Sequence, residues 1–455
     1  MKRLATLILL LAGAACLAVL GYALLRTASV GQALPVGFYA LPSIGAAMRL
    51  GALLLRAESR MLLAVCLIAA LVSVYGAEIY LTYAPGDPGE AASAARGLEH
   101  DPRSRLEVVR DLRADGVAAF PFVHPALLLA PPEDGVARSV IRIDGEEVLP
   151  VGGIGGVVTV VCREAGGYLA YEADRHGFHN PSRTWPPGTW TGPVGRARIL
   201  AIGDSFAQGQ CAPDGQGLVA RLRAAEPATV SLGAGHNGPL LTLAALREFA
   251  RTLRPDAVIW LYYEGNDLLI DLPREAFSPL LMRYLDPAFD QNLANRQAAI
   301  DAALSAYADE QLVAAATEER DARRRRLLGI AKLRGLRRLF GATAPAPPPD
   351  LALFGRVLAR ARDDIRGWGG RMVFVYLPSW NTLFRPTDSL TRLRADVLDI
   401  TRSLDLPVID LVPAFEAAAD GTALFYYPGS HYSPEGHALA ARTIEAVLET
   451  ADVLR

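Results

Sequence analysis

Residues 4–25 and 61–83 are apolar over more than twenty consecutive positions; the first run has no charge and the second only Glu78, near one end. No other feature of the 455 residues restricts the fold as strongly. About 20 apolar helical residues are what it takes to cross a hydrocarbon core of roughly 30 Å. The first run outlasts the ~7–15 residues of a secretory h-region and lacks a clean small-residue cleavage pattern, so it reads as a retained span. A lipoprotein reading of Cys16 fails because Gly13 stands where a large aliphatic residue belongs and the apolar run continues beyond the cysteine. Arg49, Arg56 and Arg60 crowd the start of the second run, Arg26 closes the first, and no basic cluster follows Pro85. Basic loops stay in the cytoplasm, which puts residues 26–60 inside and everything after residue 84 outside. Lys2 and Arg3 pull the other way. A third segment at 35–55 would reconcile all the charges, although Arg49 within it is costly in lipid; a helix lying in the interface is the other reading. Two spans or three stay open.

A formal net charge of −2 gives no reason to expect a nucleic-acid partner. The four cysteines include no C-x-x-C pair, so no metal is expected. No cofactor motif stands out either. Length favours more than one unit. Residues 1–84 form the anchor, 85–190 a connecting region, and 191–455 a larger domain interrupted by a helical insertion at 270–350. The connecting region holds strand-like alternation at 139–149 and 157–162, and Pro186, Pro187 and Gly188 punctuate its end. The insertion ends in an alanine- and proline-rich loop at 341–349.

From residue 196 short β-branched runs alternate with helical periods: 197–202, 228–232, 257–262, 371–376 and 406–410. Continuous buried strands alternating with helices specify an α/β parallel sheet covered on both faces. In such a sheet the ligand sits at the carboxyl ends of the strands. There the first run meets Gly203-Asp204-Ser205, a turn that exposes a hydroxyl or simply caps a helix. The second meets Gly233-Ala234-Gly235-His236-Asn237, whose glycines let backbone N–H groups approach a ligand. The third meets Gly265-Asn266-Asp267, an Asx turn or an amide donor for an oxyanion. Near the end, Ser433 and Pro434 read as the start of a helix, which leaves His431 on the loop before it, free to act as a base. His437 falls inside that helix and reads as structural.

In this order, each after its own strand, these residues resemble the SGNH hydrolase family, named for its marker serine, glycine, asparagine and histidine. The likeness covers about residues 190–455 without the insertion. It implies a flavodoxin-like three-layer α/β/α sheet and an esterase, lipase, deacetylase or O-acyltransferase. Carried over by position, Ser205 is the nucleophile and His431 its base. Asn266 and the Ser205 amide are oxyanion donors, with a third backbone donor at Gly235 or, counting from the strand, at His236. The family usually has an aspartate three residues before the histidine; here that position is Pro428. A backbone carbonyl, a distant acid such as Asp410, or loss of activity would account for this.

The resemblance implies acyl transfer through an acyl-enzyme, hydrolytic or to a sugar hydroxyl, at a cell membrane of the bacterial inner-membrane kind. The expected partners are the lipid bilayer, an ester-bearing substrate such as an envelope or exported polysaccharide, and a membrane-bound acyl donor if the chain is a transferase. The competing reading is a non-catalytic glycan-binding envelope protein. Two further expectations accompany these. Cys162 and Cys211 form either a disulfide, in an oxidising compartment, or two free thiols. The arginine-rich stretch 320–338 forms either a helix lying on anionic lipid or a solvated face over the core.

Overall fold

A computed structural model describes residues 2–30, 37–83, 86, 88–131, 134–164, 166–181, 197–315, 318–339 and 348–450. The punctuation at 186–188, the 190/191 boundary and most of the alanine- and proline-rich stretch 341–349 lie outside the described residues. The chain divides into two compact units: Met1–Pro85 with Arg320–Ala344, and Gly86–Glu319 with Pro345–Arg455.

The first unit contains the helices Lys2–Val30, Gly37–Gly51 and Ala57–Tyr83. Among the described residues, Arg3–Leu25 and Ala57–Tyr83 are long and apolar enough to cross a membrane. The expected third segment is a shorter apolar helical stretch, Phe38–Leu54, with Pro42 inside it. Glu78 is buried. Its carboxylate accepts bonds from the Gly335 and Leu336 N–H groups, each at 2.7 Å. Those are open donors at the start of the helix Arg334–Leu339, and charge-assisted bonds to them offset the burial of a carboxylate. The insertion expected as one piece of the larger domain is therefore split. Arg320–Ala344 belongs to the same unit as the apolar helices.

In the second unit a small sheet comes first: β1 (Ala119–Pro121) runs parallel to β2 (Val158–Val160), which pairs antiparallel with β3 (Ala170–Glu172). The stretch 139–149 is not one strand. Arg142–Ile143 and Glu146–Glu147 pair as a hairpin over Asp144 and Gly145, whose φ values of 54° and 81° make the tight turn such hairpins need. The main sheet is β4 (Ile199–Gly203), β5 (Thr229–Ser231), β6 (Ala257–Tyr263), β7 (Arg371–Leu377) and β8 (Val408–Asp410). All pairs are parallel, in the order β8-β7-β6-β4-β5. Counted along the chain this is 2-1-3-4-5, the flavodoxin-like order.

Alternation along the strands builds the two outer layers. Leu200, Ile202, Val258, Trp260 and Phe374 pack on one face with the helices Pro239–Ala245 and Leu351–Gly367. Ile199, Ala201, Ile259, Leu261 and Val375 pack on the other with Leu218–Ala225 and Pro434–Thr450. The connecting region is continuous with this core through Leu128, Leu149, Val151 and Phe178. Asn180 also closes the open edge of β5: its amide donates to Ser231 O and accepts from Ser231 N, both at 2.8 Å, satisfying groups an edge strand leaves bare.

Candidate active site

The sheet reverses its strand order at β4, so the crevice lies between the carboxyl ends of β4 and its later neighbour β6. Gly203 ends β4 with φ 148°, and a side chain there would meet Leu261 O at 2.6 Å. The chain then turns through Asp204, whose side chain accepts Phe206 N at 3.0 Å and caps the one-turn helix Ser205–Gln208. Ser205 is thereby fixed at the first helical position, and its N–H has no acceptor among the described residues.

His431 is held from several directions. Phe425 and Tyr432 bridge as a minimal strand pair, the Tyr432 hydroxyl donates to Pro378 O, and Ser433 caps the last helix through Gly436 N. The imidazole Nε2 lies 2.9 Å from Ser205 Oγ, and Nδ1 lies 3.0 Å from Glu164 Oε2. The same carboxylate oxygen accepts the His431 backbone N–H at 2.8 Å. A proton on Nδ1 toward Glu164 leaves Nε2 with a lone pair facing the serine hydroxyl. That is the tautomer a base needs. Ser205 Oγ also lies 3.3 Å from Asp204 Oδ2, the longer and weaker of its two choices.

Burial pushes the His431 imidazolium down, but the Glu164 carboxylate and then Asp204 outweigh it, so its pKa ends above 6.5. For Glu164, burial works upward and the histidine more than cancels it, leaving the carboxyl below its usual range. Each side chain is about a fifth exposed, at 22% and 20%.

No acid comes from the loop of His431 or from Asp410. Asp410 pairs with Arg394 and caps Val412 N at 3.0 Å. The sequence reading missed Glu164, although a signal for it existed. Cys162, two residues earlier, is bonded to Cys211, which follows the nucleophile turn, across a Cα–Cα distance of 5.3 Å. A pairing expected from the sequence already implied that residue 164 lies beside residue 205.

The other marker positions differ in part from expectation. The Gly235 N–H is committed to Gln208 Oε1 at 2.9 Å, so Gly235 is not the third donor. His236, at φ 64°, carries an N–H with no acceptor among the described residues. Its peptide is pinned on the opposite side, where His124 Nδ1 lies 3.1 Å from Gly235 O. Asn266 Nδ2 donates to Asp271 Oδ2 at 2.7 Å and to Asp204 Oδ2 at 3.2 Å, and its buried Oδ1 has no partner. Both amide hydrogens are therefore engaged, and the bond to Asp204 is the weaker. Burial raises Asp271 to about 7, the nearby Arg274 only partly countering it. His437 is fully buried, accepts Leu218 N at 3.2 Å and is pushed down to about 3 by burial.

Among the described residues, Glu164, Cys211 and His431 form a cluster with metal-ligand spacing. The sulfur is already bonded to Cys162 and the other two groups to each other, so the set does not offer the free thiolate and imidazole a metal would take.

No family model and no curated protein matches this chain. Among solved structures, it is similar to a lipase/acylhydrolase from Enterococcus faecalis, with 14% identity over 56% of this chain and 95% of that one and a TM-score of 0.33. It is similar to a member of the lipolytic protein G-D-S-L family from Veillonella parvula (13% identity, 55% and 97% covered, TM-score 0.31). It is also similar to the acetyl xylan esterase AlAXEase (8% identity, 55% and 98% covered, TM-score 0.32).

Proposed function

We propose that this chain is a membrane-anchored serine ester hydrolase of the SGNH type, working outside the cytoplasm through Ser205, His431 and Glu164. One observation carries the reading: the unbroken line from Ser205 Oγ to Nε2 at 2.9 Å and from Nδ1 to the Glu164 carboxylate at 3.0 Å. As the hydroxyl attacks an ester carbonyl, its proton passes to Nε2. The new imidazolium is stabilised across Nδ1 by Glu164. The carbonyl oxygen gains negative charge against the Ser205 and His236 amides. Asn266 joins them when its Nδ2 turns from Asp204, the weaker of its two bonds, toward the oxyanion. The tetrahedral carbon collapses to an acyl-serine, and the leaving alcohol takes the proton from Nε2. Water, deprotonated by the same histidine, then attacks the acyl carbon and releases acid and free serine.

A sugar hydroxyl replacing that water would make the same cycle an O-acyl transfer; an envelope or exported glycan ester is the substrate class we favour. The outward placement rests on the arginines at 49, 56 and 60 before the second span. A disulfide between Cys162 and Cys211 fits an oxidising compartment. The non-catalytic alternative starts from the missing aspartate; the Glu164 contact with His431 supports the catalytic reading instead.

The test is labelling of the full chain in detergent with a fluorophosphonate, together with hydrolysis of p-nitrophenyl acetate. Wild type is expected to label and turn over, and Ser205→Ala to do neither. No labelling of wild type at high probe concentration refutes the reading.

A further inference from the structure

A cavity of about 330 Å³ is lined by His124, whose Nδ1 lies 3.1 Å from Gly235 O; the volume suits a small ligand. Its chemistry comes from Arg105, Phe122, His124, Leu127, Tyr307 and Gln311. Arg105 stands at the start of the helix Arg105–Ala114, which Ser104 and Glu107 cap between themselves. Its guanidinium reaches Val161 O only at 3.5 Å and has no carboxylate within ion-pair range among the described residues. Burial lowers its pKa. A partly desolvated guanidinium without a counter-ion favours an anion, and its planar fork matches a carboxylate.

His124 is buried and pushed down to about 3, chiefly by burial, so it is neutral at any working pH. With Nδ1–H donated to Gly235 O, Nε2 keeps a lone pair that can accept a hydroxyl. The Tyr307 hydroxyl and the Gln311 amide add both donors and acceptors. Phe122 and Leu127 supply apolar wall for the carbon face of a ring. Donors and acceptors spread around an apolar wall, with one unpaired cation, describe a hydroxylated ring that bears a carboxylate.

We propose that this cavity is a subsite for a hexuronate unit, neighbouring the ester-bearing unit of an acidic glycan, and that Arg105 reads its carboxylate. The proposal rests on the esterase reading for its place in catalysis, not for binding itself. Two contacts link it to the reacting centre. His124 lines the cavity and its ring meets that of His236 edge to face at 4.9 Å, so one side chain separates the cavity from the oxyanion loop. His124 also holds the carbonyl of the very peptide whose N–H faces the oxyanion. A ring seated on Nε2 would polarise that imidazole and fix the donor peptide.

The experiment is saturation-transfer NMR with titration of methyl glucuronoside on the Ser205→Ala full chain in detergent, where no turnover interferes. Its neutral methyl ester, methyl glucoside and succinate are run alongside. The charged sugar is expected to bind at least tenfold more tightly than its neutral ester and than the glucoside, and succinate to bind poorly because it lacks the hydroxyls. Arg105→Gln should abolish the preference and Arg105→Lys restore part of it. Because the ester removes the charge from the ligand, the comparison stands even if an Arg105 variant fails to fold. Equal affinity for charged and neutral sugars, or binding of succinate as tight as that of the uronoside, overturns the proposal. Arg105-dependent uronoside binding in a chain that never labels with fluorophosphonate would sink the esterase reading and leave the subsite standing.

Discussion

Replacing Glu164 by glutamine removes one charge and little else. The amide oxygen can still accept the Nδ1 proton and the His431 backbone N–H, which the carboxylate takes at 3.0 and 2.8 Å. What disappears is the attraction between a carboxylate and the imidazolium that forms as Ser205 attacks. At 3.0 Å that attraction is about 1.4 kcal/mol at the dielectric of water and about 5.5 kcal/mol at the effective value of ~20 that suits near-surface sites. Since ~1.4 kcal/mol is a factor of ten in rate, kcat should fall between about tenfold and about 10⁴-fold. The four-fifths burial of both side chains favours the upper part of that range. The pH profile gives a second readout. In wild type the acid limb of kcat/KM reports a histidine raised above 6.5, because the carboxylates outweigh burial. Without Glu164 burial prevails, so the limb moves to lower pH while the plateau drops. The assay is p-nitrophenyl acetate hydrolysis from pH 4.5 to 9, with Asp410→Asn as control. An unmoved limb with an unchanged plateau refutes the assignment, as does an Asp410→Asn variant that carries the loss instead.

The remaining expectations follow from neighbouring contacts. Reducing Cys162–Cys211, or replacing both cysteines by serine, frees the segment that carries Glu164; kcat should fall and the acid limb shift in the same sense as for Glu164→Gln. The disulfide's sequence separation of 49 also predicts a stability loss of about 4 kcal/mol in the chain-entropy model, read by denaturant titration. Asn266→Ala should lower kcat by about 10²–10³ with little change in KM, the signature of a donor engaged in the transition state; an equal rise in KM would argue against that role. Asp271, raised from an ordinary 3.8 to about 7, binds its proton in the folded state over a range where the unfolded chain has released it. Stability must therefore fall as pH rises between those two values, and Asp271→Asn should flatten that slope in thermal melts. A truncation starting at residue 191 should be inactive, because it discards Glu164, whereas one starting at residue 86 keeps the whole site; p-nitrophenyl acetate hydrolysis separates the two.

What could be read from the sequence followed the range of the interaction that fixed it. The apolar helices needed only composition, since every residue of 4–25 and nearly every one of 61–83 carries the same message. The strands were legible because parallel strands buried on both faces, such as Ile199–Gly203, are continuous apolar runs. Ser205 and His431 were legible because each has local turn chemistry: a tight glycine before the serine, a cap after the histidine. The hairpin at 142–147 was hidden because Asp144 and Gly145 sit inside an alternating run that reads as one strand. The link from Glu78 to residues 335 and 336 was hidden because it joins a carboxylate to bare backbone N–H groups, which carry no side-chain signature.

Glu164 shows the same limit at the site itself. An imidazole responds to a carboxylate at Nδ1 and is indifferent to where in the chain that carboxylate originates. A local acid, three residues before the histidine, is positioned by its own loop and can be seen as a motif. An acid 267 residues away must be positioned by something else, and the disulfide two residues before it does this by fastening its segment to the nucleophile's own turn. Catalytic geometry then depends on the connecting region folding against the sheet. Asn180 on the edge of β5 and Phe178 in the main core hold the connecting region to the sheet further along the chain. Pro428 stands where a local acid would be, and Glu164 meets the Nδ1 of His431 in its stead. The Cys162–Cys211 bond ties the segment that carries this acid to the turn that carries Ser205.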